Sequence, residues 1–245
     1  MASGFHLLRP EGEGPFPAVV QMHGCGGLQP FQFSYAEAVR DAGFVVLVVD
    51  SCGPRGISRL AATLTVCTGL QLPGDERAAD LFAALRWLRA QPFVDPDRLA
   101  AGGWSHGGWV VMDALAMSLD EARRCTGLTD LTDAALDGLV AAVAVYPYAG
   151  LRSRTARAGW RGRRPLTYGL LAEKDHVVGV LNAERAFARL RKDGVSVETL
   201  TLPEAKHAFD DPEASDPRTV HRPDLFEQAR DFYVRSLTAA FSSNP

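Results

Sequence analysis

The sequence has little excess charge and no long apolar run. Its formal net charge is -3 and its isoelectric point is near 6.1, whereas a surface that binds nucleic acid needs clustered positive charge. No uncharged apolar stretch reaches the length that crosses a bilayer, and the first ten residues lack the basic segment and apolar core of a signal peptide. We therefore expect a soluble cytoplasmic protein that binds neither nucleic acid nor membranes.

Cysteine is scarce. None of the four cysteines stands at the CxxC spacing of zinc sites and redox motifs. The sequence therefore predicts free thiols, with neither a disulfide scaffold nor a metal site. Cys52 and Cys67 flank a Gly-Pro-Arg-Gly turn at residues 53–56, and they are the pair that we expect to bridge in an oxidising compartment.

Lysine is scarcer still, with three lysines among 26 basic residues. Arginine is thus the preferred cation throughout, and six arginines stand in residues 152–164. An anion-binding site is one interpretation of this segment. Because arginine is so common elsewhere in the chain, a solvated loop is the favoured one.

The apolar runs are short, rich in valine and separated by stretches of helical period, a pattern typical of a parallel sheet with crossover helices. The length of 245 residues predicts one domain, 1–245, without a separate lid domain. We expect strands over residues 16–22, 44–50, 98–103, 139–146, 166–172 and 195–202, and helices over 31–42, 75–90, 177–192 and 224–241.

Three irregular stretches, residues 51–74, 125–136 and 147–164, each follow a predicted core element. In open parallel sheets, ligands bind outside the carboxyl ends of the strands. We therefore expect these stretches to fold over one edge of the sheet and to shape a pocket there.

Residues 103–107, Gly-Trp-Ser-His-Gly, match G-x-S-x-G between a predicted strand and a predicted helix. A turn this tight needs residues without side chains two positions before and two after the serine, and glycine occupies both positions. A glycine-rich turn without chemistry is the alternative, but the strand-to-helix context favours Ser105 as a nucleophile.

A serine nucleophile needs a base and an orienting acid. In enzymes that carry G-x-S-x-G at a strand-to-helix turn, these residues follow in the chain order serine, acid, histidine. Asp175 comes directly after the predicted strand 166–172, with Glu173 as its nearest rival, and His207 follows strand 195–202. His207 is the one histidine of six that fits this order. The sequence predicts acyl transfer by Ser105, His207 and Asp175 without a metal or an organic cofactor.

Residues 23–27, His-Gly-Cys-Gly-Gly, follow the first long strand. In enzymes with such a serine turn, the loop at this place supplies one backbone donor to the developing oxyanion, and we call residues 23–27 the oxyanion loop. We predict the N–H groups of Cys25 and of His106, the residue after the nucleophile, as the two donors. Trp104 and Tyr148 are the aromatic residues that we expect in an apolar acyl pocket.

These motifs together resemble the dienelactone hydrolase family, and the resemblance runs over nearly the whole chain. It implies an α/β-hydrolase fold, with a mostly parallel central sheet of about seven to eight strands and helices on both faces. Little chain precedes residue 16, so the first strand of the fold can be missing. The count is then seven. The landmarks are residues 15–20 (Pro-Phe-Pro-Ala-Val-Val), 23–27, 43–50, 92–98 (Pro-Phe-Val-Asp-Pro-Asp-Arg), 103–108 and 206–209 (Lys-His-Ala-Phe).

The sequence departs from the family's pattern at three places. Members use a cysteine nucleophile, a glutamate in the oxyanion loop and arginines that bind the substrate carboxylate, where this chain has Ser105, Gly24 and Asp211. Only Arg55 remains as a candidate carboxylate contact. The departures favour an ordinary carboxylic ester over a diene lactone.

The sequence therefore predicts a carboxylesterase-like serine hydrolase (EC 3.1.1 type) that cleaves small to medium esters or lactones. A serine peptidase or amidase is the alternative, since the same triad serves both reactions. A non-catalytic member of the fold that binds a ligand is a third reading. The expected partner is a small-molecule ester, and the sequence leaves open whether the protein is a monomer or a homodimer.

Overall fold

The computed structural model describes residues 3–214 and 216–243. Seven strands form one sheet in the order β1-β3-β2-β4-β5-β6-β7, in which β1 pairs antiparallel with β3 and all other pairs are parallel. This confirms the predicted fold class. The strands are β1 (Phe5–Leu8), β2 (Phe16–Met22), β3 (Val45–Val49), β4 (Val94–Trp104), β5 (Leu139–Val145), β6 (Leu166–Ala172) and β7 (Val197–Leu202).

Helices cover both faces of the sheet. One apolar cluster lies between the sheet and helices α1 and α8, and a second lies between the sheet and helices α3, α4 and α7. Strands buried on both faces need apolar residues at every position, and all five residues of β3 are buried. The helices are α1 (Pro30–Asp41), α2 (Arg59–Thr65), α3 (Gly74–Arg89), α4 (His106–Ala116), α5 (Leu119–Thr126), α6 (Arg154–Ala158), α7 (Val180–Lys192) and α8 (Pro223–Ser243).

The predicted elements are present, with shifted ends. Helix α7 begins at Val180 rather than at residue 177, because the N–H groups of Val177 and Val178 donate to the Asp175 carboxylate at 2.9 and 3.0 Å. Strand β1 was not predicted. It is four residues long and lies at the edge of the sheet with partly buried side chains, so it has no long apolar run to mark it.

The three irregular stretches contain short helices that the sequence did not indicate. Helix α2 lies within residues 51–74, the end of α5 and a 3₁₀ turn within 125–136, and α6 within 147–164. The first and third stretches supply cavity-lining residues above the carboxyl ends of the strands, as expected. In the described part of the chain, no helix has the length and apolar character that crossing a membrane requires.

The arginine-rich segment 152–164 is solvated in part: four of its six arginines are exposed, whereas Arg154 and Arg163 are half-buried. Arg163 donates to the carbonyls of Leu115 and Met117 at 2.9 Å, at the end of α4. Arg154 pairs with Asp75 at 2.8 Å and with Glu121 at 3.3 Å. Because these donors already bind protein acceptors, the segment anchors the chain to α4 and α5. Arg161 does the same through Ala116 and Glu121.

Candidate active site

The turn between β4 and α4 holds Ser105 in a conformation that side chains rarely adopt. Its φ is 53° and its ψ is -111°, a strained backbone of the kind that clusters at functional sites. A Cβ on Gly103 would collide with the backbone of Gly107, and a Cβ on Gly107 would collide with the carbonyls of Met22 and His23. Both glycines are therefore required for the close packing of the turn against β2.

Ser105, His207 and Asp175 form one hydrogen-bonded chain. The distance from Ser105 Oγ to His207 Nε2 is 2.9 Å, and the distance from His207 Nδ1 to Asp175 Oδ2 is 2.7 Å. All three side chains are buried, with 7, 7 and 5% of each residue exposed. The structure thus brings together the three residues that the sequence selected, although they come from the ends of three different strands.

Asp175 is placed to remain ionised. Burial raises its pKa, but the hydrogen bond and charge of His207 and the N–H groups of Val178 and Val177 outweigh burial and lower the pKa below its usual value. The rival Glu173 instead accepts the N–H of Glu204 at 2.9 Å on the surface. The structure therefore assigns the contact with the imidazole to Asp175.

The two predicted oxyanion donors face the same cavity as Ser105. Both Cys25 and His106 line it, and neither backbone N–H donates to another group among residues 3–214 and 216–243. His106 is the first residue of α4, where free N–H groups and the helix dipole favour negative charge. An oxyanion beside Ser105 would meet these two donors.

The side chain of His23 aims the Cys25 donor. Its Nδ1 donates to the Gly24 carbonyl at 2.6 Å, while its Nε2 accepts the N–H of Ser51 at 3.0 Å. Burial, followed by the charge of Arg77, lowers the pKa of His23 well below its usual value, so that the ring stays neutral. Because the Gly24 carbonyl and the Cys25 N–H belong to one planar trans peptide, holding the carbonyl turns the N–H the opposite way.

Cys25 is joined to Cys67 by a disulfide, with a Cα–Cα distance of 4.9 Å. The prediction of free thiols is wrong for these two residues, and the Cys52–Cys67 bridge is also wrong, because Cys52 is free and buried. The partners are 42 positions apart, and no spacing rule identifies them. They meet because the segment after α2 folds over the oxyanion loop, and Cys125 is the other free cysteine.

A cavity of about 490 Å³ opens above Ser105, within the range of small-molecule sites. Trp104 and Tyr148 both line it, as predicted. Trp104 is 1% exposed and packs against Tyr35 and Tyr233 with ring centroids 4.9 and 5.3 Å apart, so most of its ring belongs to the core. Tyr148 packs on Trp109 and presents more of its ring to the cavity.

Arg55 does not line the cavity, and its predicted contact with substrate is wrong. Its guanidinium pairs with Asp80 at 2.8 Å and donates to the Ser51 carbonyl at 2.7 Å, which turns it away from Ser105. Three other arginines lie at the cavity instead, of which sequence reasoning had singled out only Arg152, as part of the arginine-rich segment: Arg59, Arg152 and Arg218. Each is engaged by the protein, with Asp211, the Gly69 carbonyl and Asp216 respectively.

The signal for Arg218 was available in the sequence, because it stands eleven positions after His207, in the region where an arginine was sought. Arg152 belongs to the arginine-rich segment for which an anion-binding site was one interpretation, and both Arg59 and Arg152 lie in irregular stretches that were expected to shape the pocket. As for metals, the described residues contain no group of three or more His, Cys, Asp and Glu side chains placed to hold an ion.

Comparison with known families decides the assignment, since the sequence profile of the dienelactone hydrolase family matches residues 4–233. The chain belongs to the dienelactone hydrolase family. Two curated relatives share a shorter stretch of 73 residues: the probable dipeptidyl-aminopeptidases B of Metarhizium robertsii, 38% identical, and of Fusarium vanettenii, 37% identical. The match covers 30% of this chain and 8% of each of those proteins.

Solved structures of dienelactone hydrolase-like proteins share the fold. A dienelactone hydrolase-like promiscuous phosphotriesterase from metagenomic libraries is 19% identical with a TM-score of 0.68, covering 97% of this chain and 99% of that one. Dienelactone hydrolase from Anabaena variabilis is 19% identical with a TM-score of 0.63 over 96 and 91% of the two chains. Esterase 2 of Thermogutta terrifontis is 19% identical with a TM-score of 0.63 over 94 and 88%.

Proposed function

We propose that this dienelactone hydrolase family member is a serine esterase that cleaves small to medium carboxylic esters or lactones through an acyl-enzyme on Ser105. The observation that carries the proposal is the continuous hydrogen-bonded chain from Ser105 through His207 to Asp175 at the base of a cavity. A serine hydroxyl alone is a weak nucleophile, and a base oriented by a buried acid is the arrangement that activates it.

The reaction follows from the contacts. His207 Nε2 takes the proton of Ser105 Oγ as that oxygen attacks the ester carbonyl, and Asp175 holds the imidazole in the tautomer with its proton on Nδ1. The N–H groups of Cys25 and His106 stabilise the oxyanion. His207 then protonates the leaving alcohol, and water releases the acyl group by the same steps in reverse order.

The cavity supports the substrate class. Five aromatic residues are among those that line it, and its volume of about 490 Å³ suits a small or medium acyl group. Arg59 and Arg218 are paired with carboxylates, and Arg152 donates to the Gly69 carbonyl. We expect butyrate and hexanoate esters to be cleaved with higher kcat/KM than laurate esters.

The test is hydrolysis of p-nitrophenyl acetate and butyrate by the wild type, Ser105→Ala and the matched control Ser34→Ala on α1. We expect the Ser105→Ala variant to lose at least about 10³-fold in kcat, while Ser34→Ala retains wild-type rates. Circular dichroism establishes that each variant is folded. Equal rates for the wild type and Ser105→Ala would sink the proposal.

Amide hydrolysis is the second candidate, and the observation that favours it is the 73-residue similarity to two dipeptidyl-aminopeptidases B. Because that stretch is a small part of those proteins, the ester proposal takes precedence. Comparing p-nitrophenyl butyrate with butyryl p-nitroanilide distinguishes the two, since an amidase cleaves the anilide as well as the ester, whereas an esterase without amidase activity cleaves only the ester. If a fluorophosphonate did not label Ser105 in the folded protein, a non-catalytic ligand-binding role would be the better account.

A further inference from the structure

Arg77 of α3 lies beneath the oxyanion loop and the turn at residues 103–107 that holds Ser105. Its side chain is completely buried, with 0% of the residue exposed. Nη1 donates to the His23 carbonyl at 2.9 Å and to His106 Nδ1 at 3.1 Å, and Nε donates to Ser51 Oγ at 2.8 Å. One guanidinium therefore contacts both His23, whose side chain orients the Cys25 N–H, and His106, whose own N–H is the second predicted donor.

The charge of Arg77 is not neutralised by a carboxylate at contact distance. Within the described chain, no Asp or Glu oxygen lies within 4.0 Å of its guanidinium. Asp80 and Asp50 raise the pKa of Arg77 from farther away, whereas Arg55, which pairs with Asp80, lowers it. Burial lowers the pKa of Arg77 to about 10, so that it remains protonated at neutral pH.

The two imidazoles of this cluster are neutral. Burial, followed by the charge of Arg77, lowers the pKa of both His23 and His106 well below the usual value. Among the described residues, Arg77 is thus the one cation in direct hydrogen-bond contact with the oxyanion loop and with His106. A buried charge without a contact partner is costly to the fold, and such arrangements cluster at functional sites.

We propose that Arg77 is a positioning residue of the oxyanion hole, whose fixed positive charge and hydrogen bonds hold the Cys25 and His106 donors and favour the negative charge that develops in the transition state. The inference rests on the proposed esterase function. It follows from charge and placement, because a cation in a dry, low-dielectric site stabilises nearby negative charge far more than it would in water. The ester ground state carries no such charge, so the effect belongs to kcat.

The test compares Arg77→Met, Arg77→Lys and Arg77→Gln with the wild type on p-nitrophenyl butyrate, with kcat expressed per site titrated by a fluorophosphonate. Arg98→Met is the matched control, because Arg98 is a partly buried arginine at the opposite end of β4 that donates to the Phe241 carbonyl. Binding of an alkyl trifluoromethyl ketone, which forms a tetrahedral oxyanion adduct on Ser105, provides a second readout.

We expect Arg77→Met to lower kcat by about 10- to 100-fold, with KM within about threefold of wild type, and to weaken the ketone adduct by a similar factor. Arg77→Lys should recover most of the loss because it keeps the charge. If Arg77→Met does not fold, Arg77→Lys against Arg77→Gln carries the same comparison. A purely structural role would reduce the titrated fraction without lowering kcat per site, and it would not distinguish lysine from glutamine.

Wild-type kcat in Arg77→Met, or equal losses in Arg77→Lys and Arg77→Gln, would overturn the inference while leaving the esterase proposal intact. Failure of the esterase proposal has a different signature, because then the wild type itself would show no hydrolysis that depends on Ser105. In that case both proposals fall together.

Discussion

At the scale of single residues, the buried carboxylate of Asp210 lies behind the imidazole of His207. Asp210 accepts the hydroxyls of Tyr146 at 2.6 Å and Tyr35 at 3.0 Å, and the Tyr146 ring packs against His207 with centroids 4.8 Å apart. Burial raises the pKa of Asp210 to about 6, and the two hydroxyls limit the rise. Above that pH, the two hydroxyls are the donors that stabilise the ionised carboxylate in its buried site.

Tyr146→Phe should destabilise the protein more at pH 8 than at pH 5. The variant loses a donor that favours the ionised form, so the folded-state pKa of Asp210 rises further. The loss of unfolding free energy relative to the wild type appears as the pH rises through about 6. It reaches about 1.5–3 kcal/mol at pH 8. Urea unfolding at both pH values measures it, with Tyr168→Phe on β6 as control. A pH-independent loss would contradict this account.

The residues that carry chemistry differ in how far the sequence reveals them. Ser105, Asp175 and His207 could be selected because each follows a strand in a known chain order. Arg77 stands four positions before Leu81, on the helical stripe that continues through Leu85, so spacing places it on the buried face of α3. No sequence pattern indicates its contacts with His23 and His106. Arg55 was the opposite case, since a suitable residue type lay near the site but Asp80 holds it away.

At the scale of elements, the Cys25–Cys67 disulfide ties the oxyanion loop to the segment that follows α2. Cys67→Ser should lower the free energy of unfolding by about 2–4 kcal/mol, because the bridge closes a long loop of chain. Urea unfolding against Cys125→Ser, which removes a free thiol, measures the effect. We also expect a lower kcat in Cys67→Ser, since Cys25 loses its anchor. Unchanged stability and kcat would show that the bridge does not support the loop.

Long strands and helices were predictable, and short or connecting elements were not, for a physical reason. β2 and β6 have the predicted bounds because strands buried on both faces are mostly apolar. β1, α2 and α6 are short and partly exposed, so tertiary contacts rather than periodicity decide them. Residues in these less predictable segments include Cys67 and Arg59, both of which line the cavity.

At the scale of the whole molecule, we expect one cooperative unfolding transition, as the single-domain prediction requires. The two apolar clusters pack on opposite faces of the same sheet, and both contain tryptophan: Trp160 and Trp87 belong to one cluster and Trp104 to the other. Tryptophan fluorescence and far-ultraviolet circular dichroism should therefore give coincident urea curves. Two transitions separated by more than the experimental error would contradict a single domain.

The spacing of the triad along the chain has a consequence for synthesis. The contact between Ser105 and His207 spans 102 positions, and His207 comes after the last strand of the sheet. Since domains are made from the amino terminus onward, a nascent chain presents its nucleophile long before its base. We therefore expect any hydrolysis by Ser105 to begin only after His207 has been translated and β7 has docked.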